Sequence, residues 1–194
     1  MDERTAWNRR YAEGDYVPRT APSPFLEEWL DRLPRGRALV VACGTGRNAM
    51  RLAEAGFEVD AVDISEVAIA RATEESERRG LGVRWHVSSL DDFEIPAGAF
   101  RLVTNIRYRN PHLWPRLVDG LASDGWALVE HHLKSTADVV GPSQPEFRLD
   151  PQELLRAFES LRIVYYSEVL EAGDVDVGDY ALARLVACKG DPGF

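Results

Sequence analysis

Apolar residues fall along this chain in two alternating ways, as short continuous runs and as faces of helical spacing. Ala38-Leu39-Val40-Val41-Ala42 is a continuous run, the pattern of a strand buried on both faces of a parallel sheet. Arg47 to Gly56 has helical spacing, with Ala49, Leu52, Ala53 and Gly56 close together. A second run, Phe57-Glu58-Val59-Asp60-Ala61-Val62, ends at Asp63. Ser65 is a candidate cap for a helix carrying Val67, Ala68, Ala70 and Ala72. That helix becomes highly charged from Arg71 through Arg79, which reads as a solvated face, and Gly80-Leu81-Gly82 ends it. Val83 to Val87 alternates as a third strand, and Phe100 to Ile106 is a fourth. Pro111 to Leu121 predicts a helix, Ser123-Asp124-Gly125 a turn, and Trp126 to His132 a fifth strand. Asp150-Pro151-Gln152-Glu153 predicts a helix start with Pro just inside the cap, and Leu154, Leu155, Phe158 and Leu161 give its buried face. Two strands follow, Arg162 to Leu170 and Tyr180 to Cys188, with Gly173 and Gly178 bracketing a polar connection.

Ahead of the first strand, a short helix would place Trp7, Arg10 and Tyr11 on one side. Gly14 to Pro18 breaks it, Ser23 is a candidate cap before Pro24, and Phe25, Leu26, Trp29, Leu30 and Leu33 mark a second helical face. The series is α/β, with a terminal pair of strands. One domain over residues 1–194 is the simplest partition. Within it, residues 1–35 form an N-terminal helical cap, and residues 133–149 form a loop over the strand ends.

The chemistry begins between the first two strands. Cys43-Gly44-Thr45-Gly46 follows the first run at once, and two glycines one residue apart permit a tight turn and close approach of a ligand to backbone. Asp63 lies 19 residues beyond Gly44, a spacing that suits an acid accepting hydrogen bonds from ribose hydroxyls. The helix N-terminus after the turn would offer free N–H groups to a polar ligand. A nucleotide-like ligand across the C-terminal ends of parallel strands is the first expectation.

Charge narrows the partners. Lys and Arg number 23 and Asp and Glu 32, a formal charge of −9. That field gives no general attraction to phosphate backbones or anionic lipid surfaces, so nucleic acid is not the expected partner. No apolar run approaches a membrane span and no signal core follows Met1, so the expectation is a cytoplasmic protein off the membrane. Cys43 and Cys188 form neither a zinc spacing nor a disulfide framework, and the four histidines show no metal-ligand motif. Monomer and homodimer both remain open.

Leu39 to Asn48 resembles the first motif of class I S-adenosylmethionine-dependent methyltransferases, and Asp63 matches their acidic ribose-binding position. Phe100-Arg101-Leu102-Val103 resembles their fourth-strand motif, and Leu121 to Val129 their fifth-strand segment. Trp7 to Ala12 and Leu154 to Phe158 are similar, more weakly, to the small tellurite-resistance-like and thiopurine-like branches. The resemblance implies a Rossmann-like seven-stranded mixed sheet with helices on both faces and an antiparallel last strand. It implies S-adenosylmethionine as cofactor and a small molecule as methyl acceptor. By position, Cys43, Gly44 and Gly46 would line the methionine and ribose side. Asp63 would bind the ribose hydroxyls, Ile64 would pack on adenine, Ser89 and Leu90 would face the adenine edge, and Asn105 would lie near the transferable methyl. Val40, Ala42, Ser89 and Arg101 depart from the residues common at their positions in the family.

Methyl transfer asks a protein chiefly to orient a nucleophile and exclude water, with a base where the acceptor must lose a proton. His131, leaving the fifth strand, is the candidate base, and Tyr108 a second candidate beside the fourth. Arg107, Arg109, His132 and Arg184 are candidate acceptor contacts, and Trp7 and Tyr11 candidate walls of a lid. Adjacent histidines in a strand point oppositely, so both are not expected in one pocket. Structural roles stay open for each: loop hydrogen bonds for the histidines, helix packing for Trp7 and Tyr11. Two other functions stay open. Gly44-x-Gly46-x-x-Ala49 with Asp63 also fits an NAD-dependent oxidoreductase. A noncatalytic ligand-binding or scaffolding protein would keep the glycine turn and block the pocket.

Overall fold

The computed structural model describes residues 2–14, 16–173 and 178–193; Asp15 in the expected helix break, and residues 174–177 between Gly173 and Gly178, lie outside them. The strands form a seven-stranded sheet in the order β3-β2-β1-β4-β5-β7-β6, with helices flanking it, as the resemblance implies. Strands β1 to β7 are Arg37–Val41, Glu58–Asp63, Val83–Val87, Phe100–Ile106, Leu121–His132, Arg162–Ala172 and Asp179–Cys188. The backbone groups into two compact units, Met1–Ile95 and Pro96–Phe194.

The first unit carries the helices α1 (Glu3–Glu13), α2 (Pro24–Trp29), α3 (Arg47–Glu54) and α4 (Glu66–Arg78). β1 pairs with β2, and β2 with β3, all parallel. The continuous apolar runs are strands because both their faces are covered: Ala38, Leu39, Val59, Ala61 and Val62 are all buried. Ser65 caps α4 as expected, its Oγ accepting from the Ala68 N–H at 3.1 Å. Asp2 caps α1 in the same way through Thr5. Ser23 precedes α2 but makes no side-chain cap; its N–H instead donates to Asn48 Oδ1 at 2.9 Å, which ties the approach of α2 to α3.

A buried acid punctuates β2. Asp60 is 2% exposed, yet it receives Arg37 Nε at 2.8 Å, Arg84 Nε at 2.9 Å, and His86 Nε2 at 3.0 Å. Burial alone would raise its pKa, but hydrogen bonds from Arg84, Arg37 and His86 outweigh that and hold it well below the usual carboxylate range. A depressed carboxylate contributes stability above its unfolded pKa and loses it as pH falls through the folded one. Asp60→Asn is therefore expected to cost about 1–3 kcal/mol at neutral pH. Urea unfolding across pH should show the two proteins converging only below the ordinary value of 3.8.

The second unit carries α5 (Leu113–Gly120) and α6 (Glu153–Ala157) beside β4 to β7. β4 and β5 are parallel, while β7 runs antiparallel to both β5 and β6. The expected Ser123–Gly125 turn appears as an excursion inside β5. Phe100 faces Leu121, Leu102 faces Trp126, and residues 122–125 loop out between them. Gly125 is required there, since a Cβ would stand 2.8 Å from the Phe100 carbonyl oxygen. The start of α6 differs from the expectation. Pro151 precedes the helix, Gln152 sits at φ 61° as the cap residue, and the Asp150 N–H donates to Glu153 Oε2 at 2.7 Å. A carboxylate reaching back from the first turn replaces the expected Asp cap. Residues 133–149 form a loop containing one short 3-10 turn, Pro145–Phe147. Arg148 closes it from within, donating to the carbonyls of Pro142, Leu133, Val139 and Val140.

Candidate functional site

In the first unit, β1 ends in a turn that only small residues can make. Ala42, Gly44 and Gly46 have φ of 47°, 56° and 83°. The Cys43 N–H donates to the Val62 carbonyl at 3.1 Å, and the Gly46 N–H closes the turn on the Cys43 carbonyl at 3.0 Å. A Cβ on Gly44 would stand 2.8 Å from Tyr11 Oη, and one on Gly46 would run into the Trp85 ring. The glycines are thus required twice, by conformation and by close neighbours.

Asp63 ends β2 and organises this turn. It is 7% exposed, with Oδ2 accepting from the Gly44 N–H at 2.7 Å and Oδ1 from the Ser65 N–H at 2.9 Å. Burial raises its pKa, and N–H groups of Ser65, Gly44 and Ile64 oppose the rise. Two carboxylate oxygens offer about four lone-pair sites, so two backbone bonds leave acceptor capacity. Tyr11 is buried over the turn, and burial together with the Asp63 charge pushes its phenol up. The same two causes raise the Cys43 thiol. Both groups carry protons and remain uncharged at neutral pH.

The N-terminal aromatics form one cluster. Trp7, Tyr11 and Tyr16 lie with ring centroids 5.4 to 5.9 Å apart. Sequence reasoning missed what anchors them. Asn8 Oδ1 accepts from Ser65 Oγ at 2.8 Å and Asn8 Nδ2 donates to Glu66 Oε1 at 3.0 Å, pinning α1 to the start of α4. Asn8 sits beside Trp7 in the sequence, and no local signal distinguishes it from a solvated helix residue. Beyond β3, Ser89 Oγ accepts from the Asp91 N–H at 3.2 Å, Leu90 is buried and Ile64 is half-buried.

The second unit gathers the remaining candidates on two faces of β4 and β5. On one face Glu130, 1% exposed, accepts from Arg184 Nε at 2.8 Å and pairs with Arg107 Nε at 3.4 Å. Arg184 also binds Glu171 through both terminal nitrogens. Arg107 holds φ 64°, stacks over the Tyr180 ring at 4.6 Å, and approaches His132 Nε2 at 3.3 Å. Gly141 presses on His132, since a Cβ there would stand 2.7 Å from its ring. Arg107, Arg184 and His132 are thus brought together, in a network whose arginine charges are matched by Glu130 and Glu171. Glu130 was absent from the expected residues, although a lone acid in an apolar strand signals a paired, buried charge.

His131 points away from this network. Its ring lies 6.3 Å from that of His132 at an interplanar angle of 82°. It is 2% exposed, and its pKa is lowered to about 4, first by burial. The Arg109 and Arg107 charges add to that shift, and polar backbone at His132 and Tyr108 opposes it without reaching hydrogen-bonding geometry. Arg109 itself donates to the Glu146 carbonyl at 2.9 Å and to Glu153 Oε1 at 2.5 Å. Tyr108 is half-buried beside them. Among the described residues, no group of three or more His, Cys, Asp or Glu side chains could hold a metal ion. No helix among them is long and apolar enough to cross a membrane.

Residues 38–123 match a family model described as a methyltransferase domain. The putative methyltransferase YqeM of Bacillus subtilis is 46% identical over 54 residues, covering 27% of this chain and 22% of its own. The ubiquinone biosynthesis O-methyltransferase of Aromatoleum aromaticum is 32% identical over 94 residues, 46% of this chain and 40% of its own. This chain therefore spans under half the length of either relative. In fold it is similar to TehB from Haemophilus influenzae, with a TM-score of 0.74 at 18% identity over 94% of this chain and 67% of that one. The motif met first in the sequence and the topology found in the structure agree with that match: over residues 38–123 the chain is similar to a methyltransferase domain.

Proposed function

We propose that this chain transfers a methyl group from S-adenosylmethionine to a small-molecule acceptor, acting as one domain over its length. The observation that carries this is the Asp63 carboxylate, buried at the end of β2 and bonded to the Gly44 N–H with acceptor capacity left over. That arrangement fits a ribose whose hydroxyls donate to Asp63 while its chain crosses the glycine turn. Gly44, Gly46 and Cys43 would hold the amino-acid end, and Ile64, Ser89 and Leu90 the adenine. When bound, the cofactor supplies an electrophilic methyl on a sulfonium, so little covalent chemistry falls to the protein.

The protein's part is to position and to enclose. Tyr11, an uncharged phenol over Gly44, would cover the turn with Trp7 and exclude water. His131, neutral by burial, would accept a hydrogen bond from the acceptor; a pKa near 4 makes it a weak base. The arginine network around Glu130 would shape the acceptor side opposite His131.

Calorimetry with S-adenosylmethionine, S-adenosylhomocysteine and NAD tests the proposal. The two adenosyl ligands should bind and NAD should not. Binding of NAD alone would transfer the site to the oxidoreductase class, and binding of none would make the protein a noncatalytic relative.

A further inference from the structure

We infer that Asn8 is a positioning residue for the cofactor site of the first unit: it latches α1 to the start of α4 and so holds Tyr11 over the glycine turn. This rests on the methyltransferase reading and adds to it what governs entry and release of the ligand at Asp63.

α1 buries little of itself. Of its 11 residues a single side chain, Tyr11, is buried among the described residues. The Trp7, Tyr11 and Tyr16 rings join residues of the N-terminal segment to one another. A helix of this length is marginal in water without tertiary support, and elements with few buried contacts open first. Asn8 supplies that support at both ends of its amide. Oδ1 accepts from Ser65 Oγ at 2.8 Å and from the Val67 N–H at 3.5 Å, while Nδ2 donates to Glu66 Oε1 at 3.0 Å. Donors meet the amide oxygen and a carboxylate meets the nitrogen, so the group fits in one orientation.

The contacts run in a closed circuit. Tyr11 lies three residues beyond Asn8, on the same side of α1. Its Oη covers Gly44, where a Cβ would stand 2.8 Å from it. The Gly44 N–H donates to Asp63 Oδ2 at 2.7 Å, and the Ser65 N–H donates to Asp63 Oδ1 at 2.9 Å. Ser65, 0% exposed, gives its hydroxyl proton to Asn8 and so returns the circuit to α1. The acid proposed to hold the ribose is thus tied, through both carboxylate oxygens, to the contacts that hold Tyr11. The bonds of Asp63 belong to β2 and the turn. The bonds of Asn8 join two helices far apart in sequence, and they can open while strand and turn stay intact.

Three variants of the full chain test this. Asn8→Ala removes every latch bond and leaves Ser65 capping α4 through the Ala68 N–H. Asn8→Asp keeps the acceptor for Ser65 and sets a carboxylate oxygen against Glu66. Adding Glu66→Gln to Asn8→Asp restores the pairing with its direction reversed, amide to carboxylate. In the free protein, hydrogen exchange over α1 should quicken about tenfold in Asn8→Ala, stay unchanged over α3 and α4, and return toward the parent in the double variant. By stopped-flow tryptophan fluorescence, S-adenosylhomocysteine should both enter and leave faster in Asn8→Ala and in Asn8→Asp, with both rates restored in the double variant. A merely structural Asn8 gives slower entry with faster release, and a double variant no better than Asn8→Asp. Either result would overturn the latch, as would unchanged exchange over α1. Failure of S-adenosylhomocysteine to bind the parent strikes the methyltransferase reading alone, because the exchange comparison needs no ligand and still decides the latch.

Discussion

Asp63→Ala should weaken S-adenosylhomocysteine binding by about 100-fold or more, with the fold intact by circular dichroism. A hydrogen bond to a charged group contributes about 1.5–3 kcal/mol, and the substitution removes every bond to the carboxylate at once. The acceptor offered to the ribose goes. The acceptors of the Gly44 and Ser65 N–H groups go as well, and these hold the turn in its left-handed geometry. Asp63→Asn separates the two effects. Its amide oxygen can still serve one backbone N–H, but its NH2 group faces the other donor. Calorimetry should place Asn between wild type and Ala. Unchanged affinity in Asp63→Ala would remove Asp63 from the ribose role.

Glu130→Ala should be the most destabilising change in the second unit. Removing one partner of a buried ion pair costs about 3–5 kcal/mol, because the remaining charge is left without compensation. Here the partners are Arg107 and Arg184, both with side chains nearly nine-tenths buried. Arg184 keeps Glu171, so the lower end of that range applies. At about 3 kcal/mol the melting temperature should fall by roughly 6–12 °C in a chain of this size. Differential scanning calorimetry reads this directly. A fall of less than about 2 °C would mean that Glu130 is dispensable to the network. Glu130→Gln should lie between the two, keeping a hydrogen-bond acceptor without the charge.

Much of the fold was legible because its strands are continuous apolar runs and its turns are marked by glycine. The third and fourth strands match their expected limits, and the cap at Ser65 is where its spacing placed it. The excursion in β5 has the local sequence of a plain turn, and nothing local says that pairing with β4 resumes on both sides of it. The α6 start lies beyond its Asp-Pro signal for a similar reason: that signal is local, and Glu153 supplies a competing carboxylate from one turn on. At the site, Gly44, Gly46 and Asp63 were visible because their geometry depends on near neighbours in sequence. Asn8 bonding Ser65 and Glu66, and Glu130 bonding Arg184, are contacts between distant residues, and residue type alone does not reveal them. The alternation of His131 and His132 was foreseeable from strand geometry. Which of them enters the arginine network was not.

The excursion at residues 122–125 also decouples lengths. Pairing is regular from Leu102–Trp126 to Ile106–Glu130, and only the loop between the two registers absorbs the mismatch. In an uninterrupted strand, one added residue would exchange His131 and His132 between the faces of the sheet. Here a residue gained or lost at exposed Ser123 or Asp124 can be taken up before pairing resumes. The excursion is therefore a buffer for insertions and deletions during descent, upstream of the residues whose orientation matters most.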